Sequence, residues 1–298
     1  YKKNAFFLLI ASIALTLMVF VPGLGVSHGG AKRWVTFKVI SFQPSELLKI
    51  AYVIYFAAWV ARAKDKVKTI THGLLPFILI TGLVGAVLLA QPDTDTFMVT
   101  ITGGLAIFLA GGGRWKHILL LGMICVIGLG VVAYTRPYVM SRINTFISPE
   151  KNAQGSGYQI QQSLIAVGSG GLYGRGFGQS IQKFNFLPEP IGDSIFAVSA
   201  EEFGFIGSTL LILLFVFFAL RGLKIAASVP DSFGRLLIVG IVILIISQAF
   251  VNIGAMVGIL PLSGITLPFV SHGGTALFIA LAEAGIILNI SKTTQKRH

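Results

Sequence analysis

The sequence predicts an all-α fold, a polytopic membrane helix bundle with a large extracytoplasmic loop. Three observations carry that prediction. Of the 298 residues 54% are hydrophobic, mean hydropathy is +0.83 and only 11% are charged, against roughly a quarter charged in soluble globular chains. Apolar runs long enough to cross about 30 Å of hydrocarbon recur along the whole chain. The acids are also clustered: Glu189, Asp193, Glu201 and Glu202 share one short stretch between such runs. Keeping a carboxylate charged at a hydrocarbon boundary is costly, so this cluster marks a candidate site.

The expected crossings are 5–21, 44–61, 72–90, 96–111, 117–134, 203–220, 236–257 and 274–290. The fourth is the weakest, being short and opening on polar residues. Lys and Arg are retained on the cytoplasmic side of membranes. With Lys2 and Lys3 inside, the inner connections collect most of the basic residues, including Lys64, Lys66, Lys68 and Arg235, and the tail adds Lys292, Lys296 and Arg297. The outer segments hold fewer, Lys38 and Arg136 among them. The expectation is one transmembrane domain over 1–298 with both ends cytoplasmic and a large extracytoplasmic loop at 135–202. The chain opens on Tyr1 instead of a methionine, which suggests that crossings precede it in the natural protein.

The formal charge of +12 raises nucleic acid as a partner, but no dense basic face and no room for a soluble binding domain are present. Anionic lipid headgroups or a phosphorylated lipid suit the charge better. Cys125 is the single cysteine, so no internal disulfide forms.

Along the chain, Pro22 to Trp34 reads as a turn-rich outer connection. After it Pro44 opens a helix with Ser41 or Ser45 as its cap. Glu46 and Lys49, spaced i,i+3, share a face of that helix: they form a buried ion pair, or Lys49 with Lys32 or Arg33 meets a phosphate. Gln91-Pro-Asp-Thr-Asp95 breaks two apolar runs, and Asp93 or Asp95 caps the next helix or faces a substrate or metal. Tyr158 to Val167 is apolar on one face and too short to span, as in an interfacial or re-entrant helix. The Gly168 to Gly178 run permits close backbone approach but lacks the strand and Gly-Lys-Ser/Thr ending of a nucleotide loop. Pro188 and Pro190 stiffen the chain around Glu189, and Gly192 loosens it before Asp193. These features suit a carboxylate that must be aimed, or a helix cap. Glu201 and Glu202 stand near the start of the next crossing, where its positive end favours acids. The last connection, 252–274, interrupts helix with glycines and prolines, as where broken helices line a cavity. Within it His272 is a packing residue or proton carrier. No zinc spacing and no nucleophile elbow is present.

Seven blocks together resemble the SEDS family of FtsW, RodA and SpoVE: Ala31 to Trp34, Gln43 to Lys49, Tyr158 to Ser163, Gly168 to Gly178, Leu187 to Asp193, Glu201 to Gly204 and Leu267 to Gly274. Their order and spacing agree across nearly the whole chain. Members usually have ten crossings, so the eight here resemble the third to tenth. The resemblance implies a peptidoglycan glycosyltransferase that polymerises lipid II, with Asp193 in the place of the essential loop aspartate. It implies as partners lipid II and the growing glycan, a class B penicillin-binding protein transpeptidase and other divisome membrane proteins, at the division septum of the bacterial cytoplasmic membrane. Gly264 to Pro268 and the full glycine block are more similar to the division branch than to the elongation branch.

Candidates for binding substrate or its pyrophosphate are Arg33, Glu46, Lys49, Lys183 and Glu189. Asp93, Glu201, Glu202, Ser271 and His272 are candidates for structural or cavity-lining roles. The expected chemistry needs no certain cofactor, with Mg²⁺ or Mn²⁺ as the option. The sequence departs from the family pattern at Ile191-Gly192 (usually His-Thr or His-Asn), Ser194 (usually Phe), His272 (usually Tyr) and Thr94-Asp95 (usually Phe-Gly). A lipid-precursor flippase and a non-catalytic division scaffold are the alternatives.

Overall fold

A computed structural model describes residues 2–28, 31–37, 40–135, 137–152, 155–184 and 186–295. Lys38, Arg136, Lys296 and Arg297, which enter the charge asymmetry, lie outside the described residues. The helices are α1 (Ala5–Leu17), α2 (Pro44–Ala63), α3 (Leu75–Ala90), α4 (Thr94–Ala110), α5 (Trp115–Thr135), α6 (Pro137–Ile147), α7 (Ser156–Ser169), α8 (Ile195–Ser228), α9 (Ser232–Met256) and α10 (Gly274–Gln295). The fold is an all-α polytopic membrane fold.

Among the described residues six helical stretches are long and apolar enough to cross a membrane: Lys2–Phe20, Pro44–Lys68, Ile70–Ala90, Ile195–Ser228, Ser232–Met256 and Gly274–Lys292. Thr94–Ala110 and Trp115–Gly128 are apolar but shorter. At 1.5 Å per residue α4 is about 25 Å long, less than the hydrocarbon thickness.

The connection before α2 is more ordered than its glycines suggest. It forms a three-stranded antiparallel sheet of β1 (Gly25–His28), β2 (Ala31–Phe37) and β3 (Ile40–Phe42), with Val26 opposite Trp34 and Val35 opposite Phe42. Trp34-Val35-Thr36-Phe37 is aromatic and β-branched, the composition that suits a pleated strand. Gln43, rather than Ser41 or Ser45, immediately precedes α2, and Pro44 takes the first helical position.

The chain divides into two compact units, one of residues 1–118, 218–247 and 274–298, the other of 119–217 and 248–273. In the first, α2 is buried along most of its length and packs against α1, α3, α4 and α10. Tyr52 of α2 shares a 2.7 Å hydrogen bond with Thr81 of α3. Gly240 lets α9 lie close to α2 and α4, since a Cβ there would come within 2.6 Å of Ile107 and 2.7 Å of Val53. Small residues at helix contacts are how membrane helices gain packing where lipid supplies no hydrophobic drive.

The second unit contains α6, α7, the glycine-rich loop, the start of α8, the end of α9 and the irregular stretch 257–273. The helix expected from 203 starts at Ile195 and breaks at Gly204, whose φ is 66° and ψ −164°. The break leaves carbonyls above it and amides below it without helical partners, and the glycine-rich loop supplies both. Arg175 and Gly176 donate to the carbonyls of Glu201 and Glu202 at 2.9 and 3.0 Å, while Phe205 and Ile206 donate to Gly171 and Leu172 at 2.8 and 3.2 Å. Irregular backbone within a membrane-crossing helix persists when protein satisfies it in this way.

Candidate functional site

Asp193 lies in the second unit on the loop that leads into α8, and its side chain is half-buried. The loop backbone is held carbonyl by carbonyl. Glu189 turns the chain at φ 48°, and its carbonyl accepts from the amides of Gly192 and Ser194, both at 3.1 Å. The Ser194 hydroxyl donates to the Pro188 carbonyl at 2.8 Å and accepts from Gln159 Nε2 at 3.0 Å. From the irregular stretch, the His272 amide donates to Ile191 O at 2.8 Å and Ser271 Oγ donates to Gly192 O at 2.7 Å. Asn252, at the end of α9, donates to Asp193 O at 2.8 Å. Glu189 itself is exposed.

Glu201 and Glu202, both buried, hold the preceding loop onto α8. Glu201 accepts from Ser180 Oγ at 2.6 Å and from the amides of Ile181 and Gln182 at 3.0 and 3.2 Å, and it pairs with Arg175 Nε at 3.2 Å. Glu202 Oε1 binds Lys183 Nζ at 2.7 Å and the Ser180 amide at 3.4 Å. A carboxylate met by backbone amides and a cation, Arg175 for Glu201 and Lys183 for Glu202, is satisfied in place, so these two acids act as latches for residues 175–183.

In the first unit Arg33, on β2, reaches the turn between α3 and α4. It donates to the Pro92 carbonyl and lies 3.6 Å from Asp93 Oδ1. Asp93 caps α4 by accepting from the Thr96 amide at 3.4 Å. Burial raises the Asp93 carboxyl above its usual range, while Arg33 and Thr96 pull the other way. Glu46 and Lys49 of α2 form a buried 2.9 Å ion pair. Glu283 of α10, buried as well, interacts electrostatically with both. Its Oε1 has no hydrogen-bond partner among the described residues.

The glycine-rich loop is spliced to α8 at Gly204 and latched by Glu201 and Glu202, and the half-buried Asp193 stands at the head of that broken helix. Residues 1–296 match the FtsW/RodA/SpoVE family of cell cycle proteins. The chain belongs to this family. It is 40% identical over 291 residues to the probable peptidoglycan glycosyltransferase FtsW of Geobacter sp. (strain M18), covering 98% of this chain and 79% of that protein. It is 38% identical over 285 residues to the stage V sporulation protein E of Bacillus subtilis (strain 168), covering 96% and 78%. Its fold matches a chain of a peptidoglycan synthase complex with a TM-score of 0.81 at 25% identity, over 98% of this chain and 82% of the other. The rod shape determining protein RodA of Thermus thermophilus matches with a TM-score of 0.69 at 27% identity, over 98% and 78%.

In this FtsW/RodA/SpoVE family member, three positions that depart from the family pattern lie at this loop. Ser194 puts a hydroxyl where it ties Pro188 to Gln159. His272 is exposed and holds the loop through its backbone amide, and Ile191 is exposed. Gln159, Asn252 and Glu283 are not among the candidates read from the sequence. Glu283 was legible as an acid inside an apolar run, whereas nothing in the sequence pairs Asn252 with Asp193. Among the described residues no three His, Cys, Asp or Glu side chains converge to hold a metal ion.

Proposed function

We propose that this family member is a peptidoglycan glycosyltransferase that polymerises lipid II into glycan strands during septal wall synthesis. The observation that carries the reading is a half-buried carboxylate, Asp193, on a backbone whose carbonyls are held by named partners. Asp193 accepts the proton of the acceptor's GlcNAc 4-hydroxyl as that oxygen attacks the anomeric carbon of the donor's MurNAc. The new glycosidic C–O bond forms as the bond to undecaprenyl pyrophosphate breaks, with inversion, and the pyrophosphate leaves with the electron pair. A carboxylate suffices as base because it needs only hydrogen-bond reach to a hydroxyl that becomes acidic as it attacks. The pyrophosphate is a good leaving group, so no dedicated general acid of the glycosidase kind is required.

The candidate cations already hold carboxylates: in the first unit Arg33 pairs with Asp93 and Lys49 with Glu46, and in the second unit Lys183 pairs with Glu202. A phosphate that meets any one of them shares that cation with its carboxylate or displaces it.

The protein is a multi-pass membrane protein. Its basic residues favour cytoplasmic ends, and the division septum is the proposed location, supported by the likeness to FtsW proteins. A class B penicillin-binding protein is the proposed partner, supported by the likeness to a chain of a complex that coordinates polymerization and crosslinking. The deciding experiment measures glycan chains made from labelled lipid II by the full-length protein with its cognate transpeptidase, alongside Asp193→Asn. Polymer from the parent and none from the folded variant is expected. Equal polymer from both would remove Asp193 from the chemistry, and none from either would favour a flippase or scaffold.

A further inference from the structure

We propose that Asn252 and Ser271 are positioning residues that set where the Asp193 carboxylate stands, an inference that rests on Asp193 being the base. Asn252 is fully buried, and both hydrogens of its amide are committed, one to Asp193 O at 2.8 Å and one to Ile265 O at 2.7 Å. Its Oδ1 has no partner among the described residues. A buried orphan acceptor is costly, so the NH₂ end is what this position requires: a carboxylate there would face two carbonyl oxygens.

Ser271 Oγ works in series, accepting from the Leu267 amide at 2.7 Å and donating to Gly192 O at 2.7 Å. Consecutive carbonyls, of Gly192 and Asp193, are thus pinned from the irregular stretch and from the last turns of α9. That stretch itself holds Phe269 at φ 65°, a conformation that bulky residues reach only when their surroundings impose it. Two fixed carbonyls flanking one Cα set where the Asp193 side chain leaves the backbone. A base must meet the hydroxyl within a few tenths of an ångström, and a displacement of about 1 Å costs about 10²-fold in rate.

The test measures kcat and KM for labelled lipid II with the full-length protein and its transpeptidase. Asn252→Leu, Ser271→Ala, Ser271→Thr and Asp193→Asn are compared with the parent after folding is verified by thermal melting. Asn252→Leu and Ser271→Ala are expected to lower kcat about 10²-fold with KM within about threefold, and Ser271→Thr, which keeps the hydroxyl, to stay near the parent. Folded Asn252→Leu and Ser271→Ala proteins with parental kcat would overturn the proposal, as would a rise in KM at unchanged kcat. If Asn252→Leu does not fold, the contrast between Ser271→Ala and Ser271→Thr decides: equal kcat in the two rejects it. Full activity in Asp193→Asn would instead overturn the assignment of the base.

Discussion

At the scale of single residues, the acids that look alike in sequence do different work. Asp193 is half-buried on a pinned loop, whereas Glu201 is enclosed by three hydrogen-bond donors and Arg175. Glu201→Ala would strand those donors, and we expect a loss of about 3 kcal/mol of stability, read as a lowered melting midpoint in detergent. A midpoint within a degree of the parent would show that Glu201 is not a latch. Asp93 gives a pH signature. Its folded-state pKa is raised by burial, so its contribution to stability is complete below the unfolded value of about 4 and is lost as pH rises through the folded one. As pH rises from about 4, the melting midpoint of Asp93→Asn is therefore expected to fall less than that of the parent. Parallel curves would contradict the assignment.

At the scale of elements, the junction of the glycine-rich loop with α8 is the most constrained place in the second unit. A Cβ on Gly204 would lie 2.3 Å from Gly174 N, and one on Gly174 would lie 2.1 Å from Glu202 O, with φ at 66° and 80°. Gly204→Ala and Gly174→Ala each combine a forbidden contact with a left-handed backbone. Either is expected to cost about 3 kcal/mol or more and to abolish a folded, active protein. Gly122 of α5 is the control. A Cβ there meets nothing within 4 Å, and Gly122→Ala should be neutral or stabilising by up to about 1 kcal/mol through helix propensity. Folded yield by fluorescence-detected size exclusion separates the two classes, and a well-folded Gly204→Ala protein would show that the splice is dispensable.

At the scale of the whole molecule, charge asymmetry and apolar runs make a topology testable with one native thiol to remove. In a Cys125→Ser background, Gln179→Cys should react with a membrane-impermeant maleimide from outside the cell, and Lys66→Cys only after permeabilisation. The opposite pattern would invert the orientation. The membrane class, the helical fold and the candidate aspartate were legible in the sequence, because hydrocarbon demands long apolar helices and makes each acid conspicuous. The family likewise showed in blocks such as Leu187 to Asp193. Other features were not legible. The sheet at Gly25 to Phe42 was hidden by its glycines, and α8 hid its start because Ile195 to Glu202 reads as loop until the carbonyls freed at Gly204 find Arg175 and Gly176. Sequence alone determined which side chains carry charge and which runs can cross. Only tertiary structure decided that Glu201 and Glu202 are consumed by amides and cations, and that Asn252 and Ser271 hold the backbone of Asp193. Those outcomes depend on hydrogen bonds between residues far apart in the chain, whose geometry no local pattern encodes.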